Sequence, residues 1–160
     1  MSSWRRVLAC AAAVMTLAGC TPAQQREEDD VRLPDESSAT LKVDAVLEMA
    51  IAGVPRVSSE GVRRQEGVSR LSCDESSEQL TRFADVATSA DEDVEAALDQ
   101  VTEHIAGATG WRTSSTSSLA DGSPIVSAGD HSDLSGVVVA QDGARGFRIT
   151  AYSPCFTREG

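Results

Sequence analysis

A chain of 160 residues with 25 acidic and 14 basic side chains has a formal charge of −11. A surface of that sign repels phosphate, which argues against a nucleic-acid partner and against adhesion to anionic lipid by charge alone. Hydrophobic residues make up 41% of the sequence, enough for one core, while only two histidines are available for acid–base or metal chemistry.

Arg5 and Arg6 precede an uncharged run, Val7 to Gly19. That run is too short to cross the ~30 Å hydrocarbon core as a stable helix. A positive start, a short apolar stretch and small residues at its end describe a secretory signal peptide. The stretch closes on Leu17-Ala18-Gly19-Cys20, which resembles the lipobox of bacterial lipoproteins. The resemblance implies a signal peptide over residues 1–19, a diacylglyceryl group on the Cys20 thiol, and cleavage just before that cysteine. Cys10 sits too early in the apolar run for the same role. Lys42 is the only lysine, and an alanine-, valine- and arginine-rich chain looks actinobacterial. Thr21 follows Cys20, without the aspartate that can retain lipoproteins at an inner membrane. The implied location is the outer, extracytoplasmic face of the cell membrane, held there by lipid.

Without Arg5 and Arg6 the chain keeps 12 basic residues against 25 acidic ones, a charge of −13. The lipid, with at least two acyl chains, must then hold the membrane unaided. Cys10 leaves with the signal peptide and Cys20 is acylated, so Cys73 and Cys155 remain. Two cysteines in an exported domain usually pair, and a Cys73–Cys155 disulfide is expected. They are too few to close a zinc site. No metal or other cofactor is expected.

Residues 20–39 hold two prolines, a run of acids and few large apolar side chains, and read as a disordered acidic tether. Its reach is about 60 Å stretched and about 25 Å as a coil. Residues 40–160 form the expected single domain. Leu41, Val43, Val46, Leu47, Ala50, Ile51 and Val54 recur at helical spacing, with Gly53 and Pro55 as the stop. Residues 56–66 are polar and read as loop, and Gly67 to Cys73 as a short strand. Ser76 and Gln79 resemble a capping box, yet a better helix starts soon afterwards, so residues 79–88 read as strand.

That second helix has Ser89 as its expected cap and Asp91, Glu92 and Asp93 at the positive end of its dipole. Val94, Leu98, Val101 and Ile105 form its apolar stripe, flanked by Ala97 and Ala108, and Gly107 or Gly110 ends it. Trp111 opens a strand through Ser117. Loops surround a short apolar Pro124-Ile125-Val126. Leu134 to Gln141 and Arg145 to Tyr152 read as strands joined at Asp142-Gly143, a pair favoured in type I′ turns. Phe147, Ile149 and Ala151 alternate with Arg148, Thr150 and Tyr152, so one face is buried and Tyr152 can contribute to a binding surface on the other. The expected fold is α+β, an antiparallel sheet of four to five strands with two helices packed on one face.

Ala151-Tyr152-Ser153-Pro154-Cys155-Phe156, with Gly110-Trp111 after a helix and an upstream cysteine, is similar to small actinobacterial lipoproteins of uncharacterised function. That likeness implies no catalytic residues. His104 lies beside the apolar stripe as a boundary residue. Asp130-His131-Ser132-Asp133 contains the residue types of a hydrolase triad, but triad members converge from separated segments, so a polar loop is expected. Glu27-Glu28 and Asp91-Glu92 read as solvated charge. The expected function is therefore a non-catalytic, lipid-anchored interaction domain that binds an envelope protein or a cell-wall component. The alternative is a carrier of a lipid or small apolar ligand between sheet and helices, and an envelope hydrolase is third.

Overall fold

The computed structural model describes residues 33–117, 122–143 and 146–158, with the backbone alone at Ser59, Glu60 and Ser117. The lipobox, Cys20, Glu27-Glu28 and most of the expected tether lie outside the described residues. In chain order the elements are α1 (Glu36–Ala52), β1 (Val57–Arg64), β2 (Ser69–Ser72), β3 (Ser77–Thr88), α2 (Val94–Thr109), β4 (Arg112–Ser117), β5 (Pro124–Gly129), β6 (Gly136–Gln141) and β7 (Gly146–Thr157). Every strand pairing is antiparallel, and the order across the sheet is β1-β3-β7-β6-β5-β4, with β2 also on β3. The α+β class with an antiparallel sheet holds, but the sheet has seven strands, more than the four to five expected.

The two strands beyond those expected are β1, from residues that read as loop, and β5, around a short apolar stretch set between loops, while β2 falls within the expected strand Gly67 to Cys73. Residues 57–64 pair with the upper part of β3 and residues 69–72 with its lower part, so β1 and β2 form one interrupted edge. Pro124-Ile125-Val126 extends to Gly129 and joins β4 to β6. At the last hairpin the Asp142 N–H donates to the Gly146 carbonyl at 2.8 Å, which makes the connection longer than a two-residue type I′ turn.

Helix α1 begins at Glu36, inside the segment expected as tether, because the Asp35 side chain caps it by accepting from the Ser38 N–H. Its buried stripe is Ala39, Val43, Val46, Leu47, Ala50 and Ile51, while Leu41 is 73% exposed. At 100° per residue Leu41 stands about 200° from Ala39, on the opposite side of the helix. Helix α2 is capped by Asp93, which accepts from the Glu95 and Ala96 N–H groups, and Ser89 instead donates to the Arg56 carbonyl. Gly110 at φ 71° closes it in the left-handed conformation that glycine adopts without a Cβ clash. Val94 is only partly buried, Ala108 is exposed, and Trp111 packs half-buried against the core.

Both helices cover one face of the sheet, α1 over β7 and β3 and α2 over β4, β5 and β6. Phe147, Ile149, Val137, Val139, Val86 and Phe156 meet Val43, Val101 and Ile105 in the buried layer between. Each such fully buried side chain contributes about 1.5–3 kcal/mol. Arginines of the sheet reach α1 at three levels: Arg70 to Glu36, Arg82 to Asp44 at 2.8 Å, and Arg64 to Glu48 through two bonds of 2.8 Å.

Candidate functional site

The face of the sheet away from the two helices, which no element among the described residues covers, is set by the pairing register. Thr81, Phe83 and Asp85 of β3 stand opposite Tyr152, Thr150 and Arg148 of β7, and these in turn oppose Gly136, Val138 and Ala140 of β6. Arg148 lies over the Phe83 ring at 5.1 Å and also donates to Asp85 at 2.8 Å, so the guanidinium is held between ring and carboxylate. Tyr152 is half-buried on this face, as its alternation with Ala151 requires.

Simple alternation fails just past Tyr152. Gln79 pairs with Cys155 and Thr81 with Tyr152, so β7 carries one residue more than β3 between those pairs. Pro154 has no N–H to offer a ladder and is accommodated at this bulge. The Leu80 N–H donates to the Ser153 hydroxyl at 2.9 Å, and Ser153 is fully buried. The bulge returns Cys155 to the same face as Tyr152 and turns Phe156 into the core. Cys73, in the β2–β3 turn, meets Cys155 there as a disulfide-bonded pair with Cα atoms 6.3 Å apart. The Gln79 side-chain amide donates to the carbonyls of Leu134 and Ser153 at 2.9 and 2.7 Å, binding the β5–β6 loop to this corner. Leu71 and Leu134 remain exposed beside it.

The chemistry-bearing residues are dispersed. His104 lies against α1: a Cβ on Gly53 would sit 2.9 Å from its Cδ2. In the β5–β6 loop, Asp130 accepts from the Ser132 N–H and hydroxyl, and Asp133 does the same for Ser135. Those bonds from Ser132 hold the Asp130 carboxyl below its ordinary range. They turn the loop back on itself and shape its backbone, with no bond from His131 to either aspartate. Asp91 and Glu92 lie against Arg56 at 3.3 and 3.5 Å. Among the described residues no three His, Cys, Asp or Glu side chains are grouped to hold a metal ion, and no helix is long and apolar enough to cross a membrane.

An open groove of about 600 Å³ lies at the start of α1, lined by Leu33 to Glu36, Ser38, Thr157 and Arg158. It is at the end of the helix, outside the layer between helices and sheet. The alternation in β7 puts Arg148 and Thr150 on the face of Tyr152, as expected, whereas the sequence carries no signal that sets Phe83 beside Arg148. No protein-family model, no curated protein and no solved structure matches this chain.

Proposed function

We propose that the chain is a lipid-anchored interaction domain on the extracytoplasmic face of the cell membrane, acting by binding and without a catalytic centre. The observation that carries this reading is the division of the sheet: helices cover one face, while the other offers Phe83, Arg148, Thr150 and Tyr152 on a rigid, fully paired surface. Rings fixed by strand pairing lose little entropy when a partner covers them, which favours their use as anchors. The Leu17-Ala18-Gly19-Cys20 sequence supports the anchor. The carrier alternative needs room between the layers, and that space is taken by fully buried side chains such as Phe147, Ile149, Val43 and Ile105.

The test is complementation of a deletion strain. A folded His104→Ala/His131→Ala chain should restore function, because neither imidazole is needed for binding. A secreted form lacking Cys20 should fail, because membrane confinement raises the concentration near envelope partners. The reverse pair of outcomes would remove the interaction reading and bring an enzyme forward.

A further inference from the structure

The two edges of the sheet are built differently. The β1–β2 edge is interrupted at residues 65–68, shifts register between Val57 and Val62, and carries Arg63 and Arg64. Gly61 and Gly67 take positive φ values of 68° and 79° along it. Breaks, twists and charges of this kind keep foreign strands away. The opposite edge, β4, has none of them over Thr113 to Ser117. It is a straight six-residue strand, Arg-Thr-Ser-Ser-Thr-Ser, paired to β5 without a register break. Arg112 to Thr116 are exposed, and among the described residues no strand covers its outer side.

The helix over that edge is also unlike its neighbour. Each of Glu36, Asp44 and Glu48 on α1 has an arginine of the sheet as partner. Glu95, Asp99 and Glu103 on α2 recur at every fourth position and are exposed, and among the described residues none pairs with a cation. Like charges at that spacing oppose the helix that bears them. His104 marks the flank of α2 that faces α1. At 100° per residue Glu95 stands about 180° and Asp99 about 140° around from it, away from α1, and Glu103 about 100° from it, opposite the buried stripe of Ala97, Leu98, Val101 and Ile105.

We propose that the β4 edge takes an extended, basic segment of a partner protein as an added strand. Main-chain bonds to Arg112–Ser117 supply the attachment, and the Glu95-Asp99-Glu103 stripe selects lysine or arginine side chains. A second copy of this chain fits poorly, because its own acidic α2 would come alongside the same stripe. The inference rests on the interaction reading and names its partner's chemistry, but it is independent of the lipid anchor.

The probe is a short labelled peptide alternating lysine and valine, with its glutamate counterpart as control, both offered to the full chain. The lysine peptide should bind at least about tenfold more tightly than the control, lose most of that advantage at high salt, and slow amide exchange across residues 112–117. Glu95→Gln/Asp99→Asn/Glu103→Gln should weaken it about tenfold while raising thermal stability slightly. Ser114→Pro and Ser115→Pro form a second pair of variants. Adjacent N–H groups point to opposite sides, so one of the two removes an outward donor while sparing the β5 ladder. The variant that keeps its melting temperature should lose binding. Equal binding of both peptides, protection away from β4, or a dimer that protects β4 without peptide overturns the proposal. So does a triple variant that loses the peptide yet fully complements the deletion strain, an outcome that leaves the interaction reading to another surface. Full complementation by the secreted form with an intact edge would instead remove the anchor alone.

Discussion

Replacing Cys73 and Cys155 together by alanine tests how this domain is held together. The two residues are 82 apart in sequence. In the chain-entropy model, closing a loop of that length in the unfolded ensemble is worth about 4.5 kcal/mol. The folded state should lose little by comparison, since β3 and β7 stay paired from Thr81↔Tyr152 to Ala87↔Gly146 without the sulfurs. For a domain of this size the melting temperature should fall by about 15 °C. The unfolded chain, freed of its cross-link, should expose more surface and raise the denaturant m-value. Thermal melts and urea titrations of the oxidised protein and the double variant measure the two quantities, with amide exchange on β3 and β7 checking that the pairing survives. A fall in melting temperature under about 4 °C with an unchanged m-value would refute the reasoning. A full loss of protection along β3 and β7 would refute it from the other side, by showing that the bridge defines the native pairing.

Cys20→Ala should leave an unprocessed, unacylated precursor, and mass spectrometry of the native protein should find the lipid on that residue. Asp74 accepts from the Ser77 and Ser76 N–H groups and the Ser76 hydroxyl, and its carboxyl is lowered to about 2. Its folded value lies below its unfolded one, so its contribution is present above pH ~4 and is lost as pH falls towards 2; Asp74→Asn should flatten acid unfolding in that window. Gly53→Ala places a methyl 2.9–3.1 Å from the His104 Cδ2, Cβ and Cγ atoms. Since φ at Gly53 is −77°, the backbone accepts alanine and the penalty, about 1–3 kcal/mol, is purely the clash. Adding His104→Ala should recover the part due to Cδ2 and Cγ in a double-mutant cycle, leaving the contact with the Cβ at 3.0 Å.

Helix α2 and the first half of β7 were legible because burial there follows a single period. Val94, Leu98, Val101 and Ile105 keep helical spacing, and Phe147, Ile149 and Ala151 keep the strand period. Leu41 misled on α1 because it is apolar but two residues from Val43, a spacing no single helix face contains. The cap of α2 was misplaced from Asp93 to Ser89 because several good cappers stand in a row, and only backbone geometry selects among them. Beyond Tyr152 the alternation breaks at the bulge, yet Pro154 was a signal that a continuous ladder could not pass there.

Strand β1 was illegible for a reason that bears on function. Periodicity reports a difference between a wet face and a dry one, and β1 is an edge whose exposed and half-buried residues show little such difference. β4 has the same character, with Arg112 to Thr116 all exposed, and its serines and threonines record only a tolerance for extended backbone. An edge that is wet on both faces gives the sheet little burial, so its outward N–H and C=O groups are its main chemical asset. Protection of that asset is visible in sequence as charge and glycine, as in Glu60-Gly61 and Arg63-Arg64 on β1. Along Thr113 to Ser117 such residues are missing, and solubility of the exposed edge rests on the charge of the neighbouring helix. A stripe that repels acidic copies of the same chain and attracts basic strands performs both tasks at once. Its neutralisation in Glu95→Gln/Asp99→Asn/Glu103→Gln should therefore have a second consequence besides weaker peptide binding: greater self-association through β4, read as a concentration-dependent dimer in sedimentation. Were the neutralised protein to stay monomeric at every concentration, the edge would need a different guard, and the stripe's role in protecting it would fall.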